Sequence, residues 1–208
     1  MSGTYGALRL IELASTRLCQ DISGLVASLE CALAASENPS AYESNRQRSA
    51  SGSAQALSVR LELRRAAWGP DGEPMSLAHI RHLARGLPDA VVIDVSALDQ
   101  TAVFAAATGR IVLNLLLLAA DSLPAGGTIV LAGEPDDLFV RITGQAASWP
   151  IGTAVCLVDE TEARSALIDG RNLQMALTAL LAHAAGIRLS VVMSPTARNK
   201  PAILRLGG

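Results

Sequence analysis

Aromatic side chains are scarce in this chain, with two Trp, two Tyr and two Phe among 208 residues. A core with so few rings must be aliphatic, and platforms on which single-stranded nucleic acid stacks are not expected. Neither sign of charge is in excess, since 17 Lys and Arg face 19 Asp and Glu for a net charge of −2. Nothing therefore favours nucleic acid or an anionic membrane as a partner. Cysteine is nearly missing. Cys19, Cys31 and Cys156 are odd in number and lack metal-type spacing, which reads as reduced thiols in a cytoplasmic protein. No basic region followed by an apolar run opens the chain, so no signal peptide is expected. The apolar run 111–120 is interrupted by Asn114 and closed by Asp121, too short to span a bilayer.

What is present is an aliphatic pattern, 50% hydrophobic by count and enough for one domain or two small ones. Its organising stretch is residues 17–33. Ile11, Leu18, Ile22, Leu25, Leu29 and Ala32 recur at steps of three, four and seven, which makes one stripe on a helix expected over about 7–36. At roughly 100° per residue, Gln20 falls on the opposite face with Thr16, Ser23, Gly24 and Ala27. A solvent face is normally rich in Lys and Glu. Small residues there point to a docking partner.

The run Arg17-Leu18-Cys19-Gln20-Asp21 resembles the first helix of the ChpT-type histidine phosphotransferases of bacterial phosphorelays, where an Arg-Leu-Cys-His-Asp run presents the phospho-accepting histidine. The resemblance places Gln20 where that histidine belongs. Imidazole has a lone pair free to attack phosphorus, whereas the lone pair of an amide nitrogen is delocalised into its carbonyl. The resemblance thus implies a docking platform without its reactive atom, with Asp21 and Arg17 beside the vacant position. As ordinary surface residues, Arg17, Asp21 and Glu30 need no such role.

Beyond a turn at Glu37–Ser40, residues 42–52 are polar and read as loop or frayed helix. Residues 54–68 are clearly helical, with Leu57, Leu61 and Trp68 on one side and Val59, Leu63 and Ala66 on others. Two antiparallel helices cannot bury that much apolar surface alone. A second copy of the hairpin would, giving a four-helix bundle across a dimer axis. Packing on the rest of the chain is the alternative. Trp68-Gly69-Pro70-Asp71-Gly72 marks a boundary, dividing a helical dimerisation domain at 1–70 from a second domain at 71–208.

In the second domain, Ser76 caps a short helix bearing Leu77, Ile80, Leu83 and Leu87. Strands are expected at 90–95, 128–132, 138–143, 187–193 and 202–206, and helices at about 103–122, within 149–167 and at 171–185. Asp136-Asp137 read as turn residues before a strand. The order predicts an α+β fold with helices on one face of a mixed sheet. Asn114-Leu-Leu-Leu-Leu118-Ala119, followed by a Gly-Gly turn and a strand, resembles the ATP-binding domain of histidine kinases. In that domain the second asparagine of an Asn-Leu-Leu-x-Asn-Ala box gives Mg²⁺ an oxygen ligand. Here Leu118 occupies that position, and the Asp-x-Gly-x-Gly adenine loop is missing. The resemblance therefore implies a degenerate, ATPase-like α/β sandwich with no cofactor, and Asn114 reads as a helix-surface hydrogen bonder.

Several residues remain to be weighed. His79 and His82 lie three apart on one helix side, as a surrogate phospho-acceptor, half a metal site, or simply a solvated face. With no further ligand in view, no metal is expected. His183 reads as a partly buried structural residue. No Ser/His/Asp, Cys/His or paired-carboxylate arrangement emerges. The leading expectation is a homodimeric, ChpT-like protein that binds receiver domains of response regulators or hybrid kinases without accepting phosphate. The alternatives are a working phosphotransferase using His79 or His82, and a degenerate histidine kinase that still binds ATP.

Overall fold

A strand that alternates large apolar and polar side chains can bury only one face, and the main sheet is built on that pattern. In the computed structural model the described residues are 15–16, 19–20, 22–24, 26–27, 43–70, 72–168, 172–192 and 201–207. Most of the helix expected over 7–36, the turn after it, and Arg17, Asp21, Glu30 and Cys31 lie outside them.

Helix α1 runs unbroken from Glu43 to Trp68. Of the two forms expected for 42–52, loop or frayed helix, the helix is found: the backbone is helical from Glu43 onward. Ser and Asn are weak helix formers rather than breakers, and no proline falls between Pro39 and Pro70. Extending an established helix adds a hydrogen bond per residue without a second nucleation cost. Towards its end α1 docks on the remainder of the chain through Leu63 and Ala67, both fully buried in the main core.

Strand β1 (Met75–Ser76) pairs antiparallel with β3 (Val103–Phe104). The helix expected from 103 thus starts later, as α3 (Ala106–Asp121), because Val103 and Phe104 are spent on the ribbon. Between them lie α2 (Leu77–Leu83), a 3₁₀ turn at Ala84–Gly86 and strand β2 (Val91–Ala97). The Ser76 hydroxyl accepts from the His79 N–H and caps α2 as its sequence predicted.

Strands β4 (Gly127–Glu134), β5 (Asp137–Thr143), β6 (Arg188–Val192) and β7 (Ile203–Gly207) complete a five-stranded sheet in the order β2-β4-β5-β7-β6. β2 and β4 are parallel, joined by a crossover through α3, and the other pairings are antiparallel. The tight turn into β4 depends on Gly126, at φ +77°, where a Cβ would stand 2.5 Å from the Ala90 carbonyl oxygen. Asp137 opens β5 rather than standing in the turn, and ion-pairs with Arg205 of β7.

Ile129, Leu131, Leu138, Val140, Ile142, Leu204 and Leu206 form the buried sheet face. Over that face lie α3 and α6 (Leu173–Ala185), with α4 (Thr153–Val158) and α5 (Glu160–Ile168) beside them. α3 is apolar on nearly every side, with residues 111–120 all buried, so it is the central helix of the second layer. The result is the expected α+β architecture with a mixed sheet.

Candidate functional site

Ser15, Thr16, Cys19, Gln20, Ile22, Ser23, Gly24, Val26 and Ala27 are all helical. Thr16, Gln20, Ser23, Gly24 and Ala27 are exposed, while Ile22 on the apolar stripe is half-buried. A Cβ built on Gly24 meets no atom within 4 Å. Cys19 is exposed on the same segment. The neighbours Arg17 and Asp21 lie outside the described residues.

The kinase-like box has been given other work. Ala67 carries one of the last carbonyls of α1, which no residue further along the helix can satisfy. Asn114 Nδ2 donates to it at 2.7 Å and to the Arg110 carbonyl at 2.9 Å, and Arg110 Nε donates to the Ala67 oxygen at 3.3 Å. Gln174 Nε2 donates to Asn114 Oδ1 at 2.9 Å, and Trp68 Nε1 donates to Gln174 Oε1 at 3.2 Å. Thr178 Oγ1 lies 3.3 Å from Gln174 Nε2 and donates to the Gln174 carbonyl. Asn114, Gln174 and Thr178 are buried. The surface role expected for Asn114 is thus corrected: its amide is spent on a buried junction of α1, α3 and α6. Leu118 packs in the main core.

Other predicted residues resolve simply. His79 and His82 are exposed on α2, and His82 Nε2 lies 3.8 Å from Glu62 Oε2. His183 is half-buried, with Nε2 3.2 Å from the Cys156 carbonyl oxygen. Burial, helped by nearby Glu162, pushes the Cys156 thiol above its ordinary range and away from the thiolate. Among the described residues no three His, Cys, Asp or Glu side chains converge as a metal site, and no helix is long and apolar enough to cross a membrane.

The Trp68–Gln174–Asn114 junction was not foreseen. Its signal was in plain view: one amide inside each of two largely apolar helices, 111–120 and 173–180, the second also carrying Thr178. Buried polar groups are normally hydrogen-bonded, so two such residues are candidates for each other.

The model of the family described as the histidine phosphotransferase C-terminal domain matches residues 77–197. A solved structure described as a bacterial phosphotransferase is similar over 96% of this chain and 96% of its own, with a TM-score of 0.66 and 19% identity. At that identity the likeness speaks for the fold. No curated protein matches the chain.

Proposed function

The chain belongs to the histidine phosphotransferase family, and from that membership we propose that it is a ChpT-like phosphorelay protein that binds receiver domains without accepting phosphate. One observation carries this reading: Gln20 is exposed on a helix among the small exposed residues Thr16, Ser23, Gly24 and Ala27. Small side chains let another protein's surface approach the helix closely. An amide at its centre can donate and accept hydrogen bonds but offers phosphorus no nucleophile. Arg17 and Asp21 are assigned to the same contact by the family resemblance alone.

In this reading residues 1–70 form the dimerising helical hairpin and 71–208 the ATPase-like sandwich without a nucleotide site. Support for the dimer comes from Leu57, Val59 and Leu61 of α1, which remain only half-buried in the single chain. Support for the empty site comes from Leu118 and Asn114, one packed in the core and the other bonded to Ala67 and Gln174. Neither can turn an oxygen toward Mg²⁺. A second reading keeps an enzymatic role at α2, where the Glu62 carboxylate beside exposed His82 could orient an imidazole.

Wild type and Gln20→His are each incubated with a radiolabelled phospho-receiver domain from the same cell, and binding is measured in parallel. Wild type binds and stays unlabelled, while Gln20→His gains an acid-labile phosphate. Label on wild type that is lost in His82→Ala would instead establish the second reading. Binding by neither protein refutes the docking face.

A further inference from the structure

A cavity of about 460 Å³ opens between α4, α5 and the start of α6, clear of the Gln20 face and of the Trp68–Gln174–Asn114 junction. Its volume falls in the range of small-molecule sites, roughly 300–1,000 Å³. Cys156 of α4 and Met175 of α6 line it from the buried side. Ile151 and Val155 stand at its rim, 97% and 54% exposed. Of the eight large apolar side chains exposed among the described residues, four fall within 151–168. The apolar surface that the core leaves uncovered is thus concentrated at this corner, as it is at binding sites. Two short helices broken by an extended residue, Asp159, supply the walls, and among the described residues no aromatic ring fills the space between them.

The lining combines two chemistries. Cys156 and Met175 carry sulfur, which is soft and polarisable and makes favourable contacts with aromatic rings. Burial and nearby Glu162 keep the Cys156 thiol protonated, so the buried side of the cavity is uncharged. Glu162 and Ser165 stand one turn apart on α5 and both line the cavity. Glu162 is the one lining residue with a charged side chain, and among the described residues it takes part in no ion pair or hydrogen bond. The nearby cation of α5, Arg164, is spent on Glu160, to which its Nε donates at 3.0 Å. The first turn of α6, entered through Asn172, favours negative charge. A cationic head therefore belongs on the α5 side, against Glu162.

We propose that this cavity is a binding site for a small arylalkylamine, with the ring against Val155, Cys156 and Met175 and the ammonium on Glu162 and Ser165. The test titrates full-length protein carrying ¹³C-methyl methionine with phenethylamine at fixed pH and ionic strength, beside 2-phenylethanol, 3-phenylpropionate and butylamine. The methyl group of Met175 is followed, and that of Met75, buried in the main core outside the cavity, is the internal reference. The expected result is a saturable shift of Met175 that spares Met75, with a Kd on the order of 1 mM for phenethylamine and weaker binding of the three comparators. Glu162→Gln alters an exposed side chain and keeps the fold. It should weaken phenethylamine about three- to fivefold, the scale of an exposed charge pair, and leave 2-phenylethanol unchanged. The proposal is overturned by the lack of a saturable Met175 shift, by any comparator binding as tightly as phenethylamine, or by undiminished phenethylamine binding in Glu162→Gln.

Discussion

Asn114→Leu is the sharpest probe of how this fold is joined. Leucine keeps the volume roughly constant and removes the amide. The Ala67 carbonyl loses its 2.7 Å donor and retains the 3.3 Å Arg110 Nε contact. Gln174 Nε2 loses its 2.9 Å acceptor and retains the Asn114 carbonyl and Thr178 Oγ1, each at 3.3 Å. Leaving a buried polar group short of a partner costs about 1–3 kcal/mol, and two groups are affected. Against that stands the gain from burying an apolar side chain, about 1.5–3 kcal/mol. At mid-range, about 4 kcal/mol lost against about 2 gained, the polar loss wins by about 2 kcal/mol. For a chain of this size each kcal/mol lowers the Tm by roughly 2–4 °C. Urea unfolding of Asn114→Leu, Gln174→Leu and the double variant measures both the cost and its sharing. The two changes should couple by about 1 kcal/mol, as residues in one hydrogen-bond network do. A single-variant change under about 0.5 kcal/mol, the scale of a neutral surface substitution, would refute the reasoning. Strict additivity would refute the network.

Two further outcomes follow from particular contacts. Gly86→Ala drives a methyl group into the Val59 carbonyl and the α1 backbone, and should destabilise by about 1–3 kcal/mol, as overpacking does, in the same urea assay. Hydrogen bonds from Arg205 hold the Asp137 carboxyl below its ordinary value of 3.8. A lowered folded pKa means that this contribution is complete above the unfolded value and is lost as pH falls through the folded one. Stability curves of wild type and Asp137→Asn should therefore converge on acidification below that ordinary value, and a gap that stays constant there would refute the assignment.

Where sequence reading succeeded, the signal was periodic and local. Alternation in 138–143 marked a strand, and Ser76 followed by an apolar stripe marked a capped helix. Where it failed, the deciding interaction was distant in the chain. Asn114 looks like a surface residue until Ala67, 47 positions earlier, needs a donor. Val103 and Phe104 look like the start of a helix until Met75 and Ser76 arrive to pair with them. The polar stretch 42–52 left loop and frayed helix both open, because residue propensity alone does not decide what cooperative extension of α1 does.

The strand order also sets a sequence of assembly. β7 lies between β5 and β6, and β6 has no other neighbour in the sheet. Although β6 precedes it in the chain, β6 reaches the sheet only through β7, whether or not the two first pair as a local hairpin, and docking β7 on β5 closes a loop of about sixty residues whose entropy must be met. Until then β5 presents an open edge, the kind of surface that recruits the wrong strand. The hierarchy persists after folding: β6 can fray alone, but any opening that releases β7 releases β6 with it, an order that amide exchange resolves strand by strand. The pairing of Asp137 with Arg205 ties β7 to β5 at its inner ladder, on the one connection that both C-terminal strands depend on.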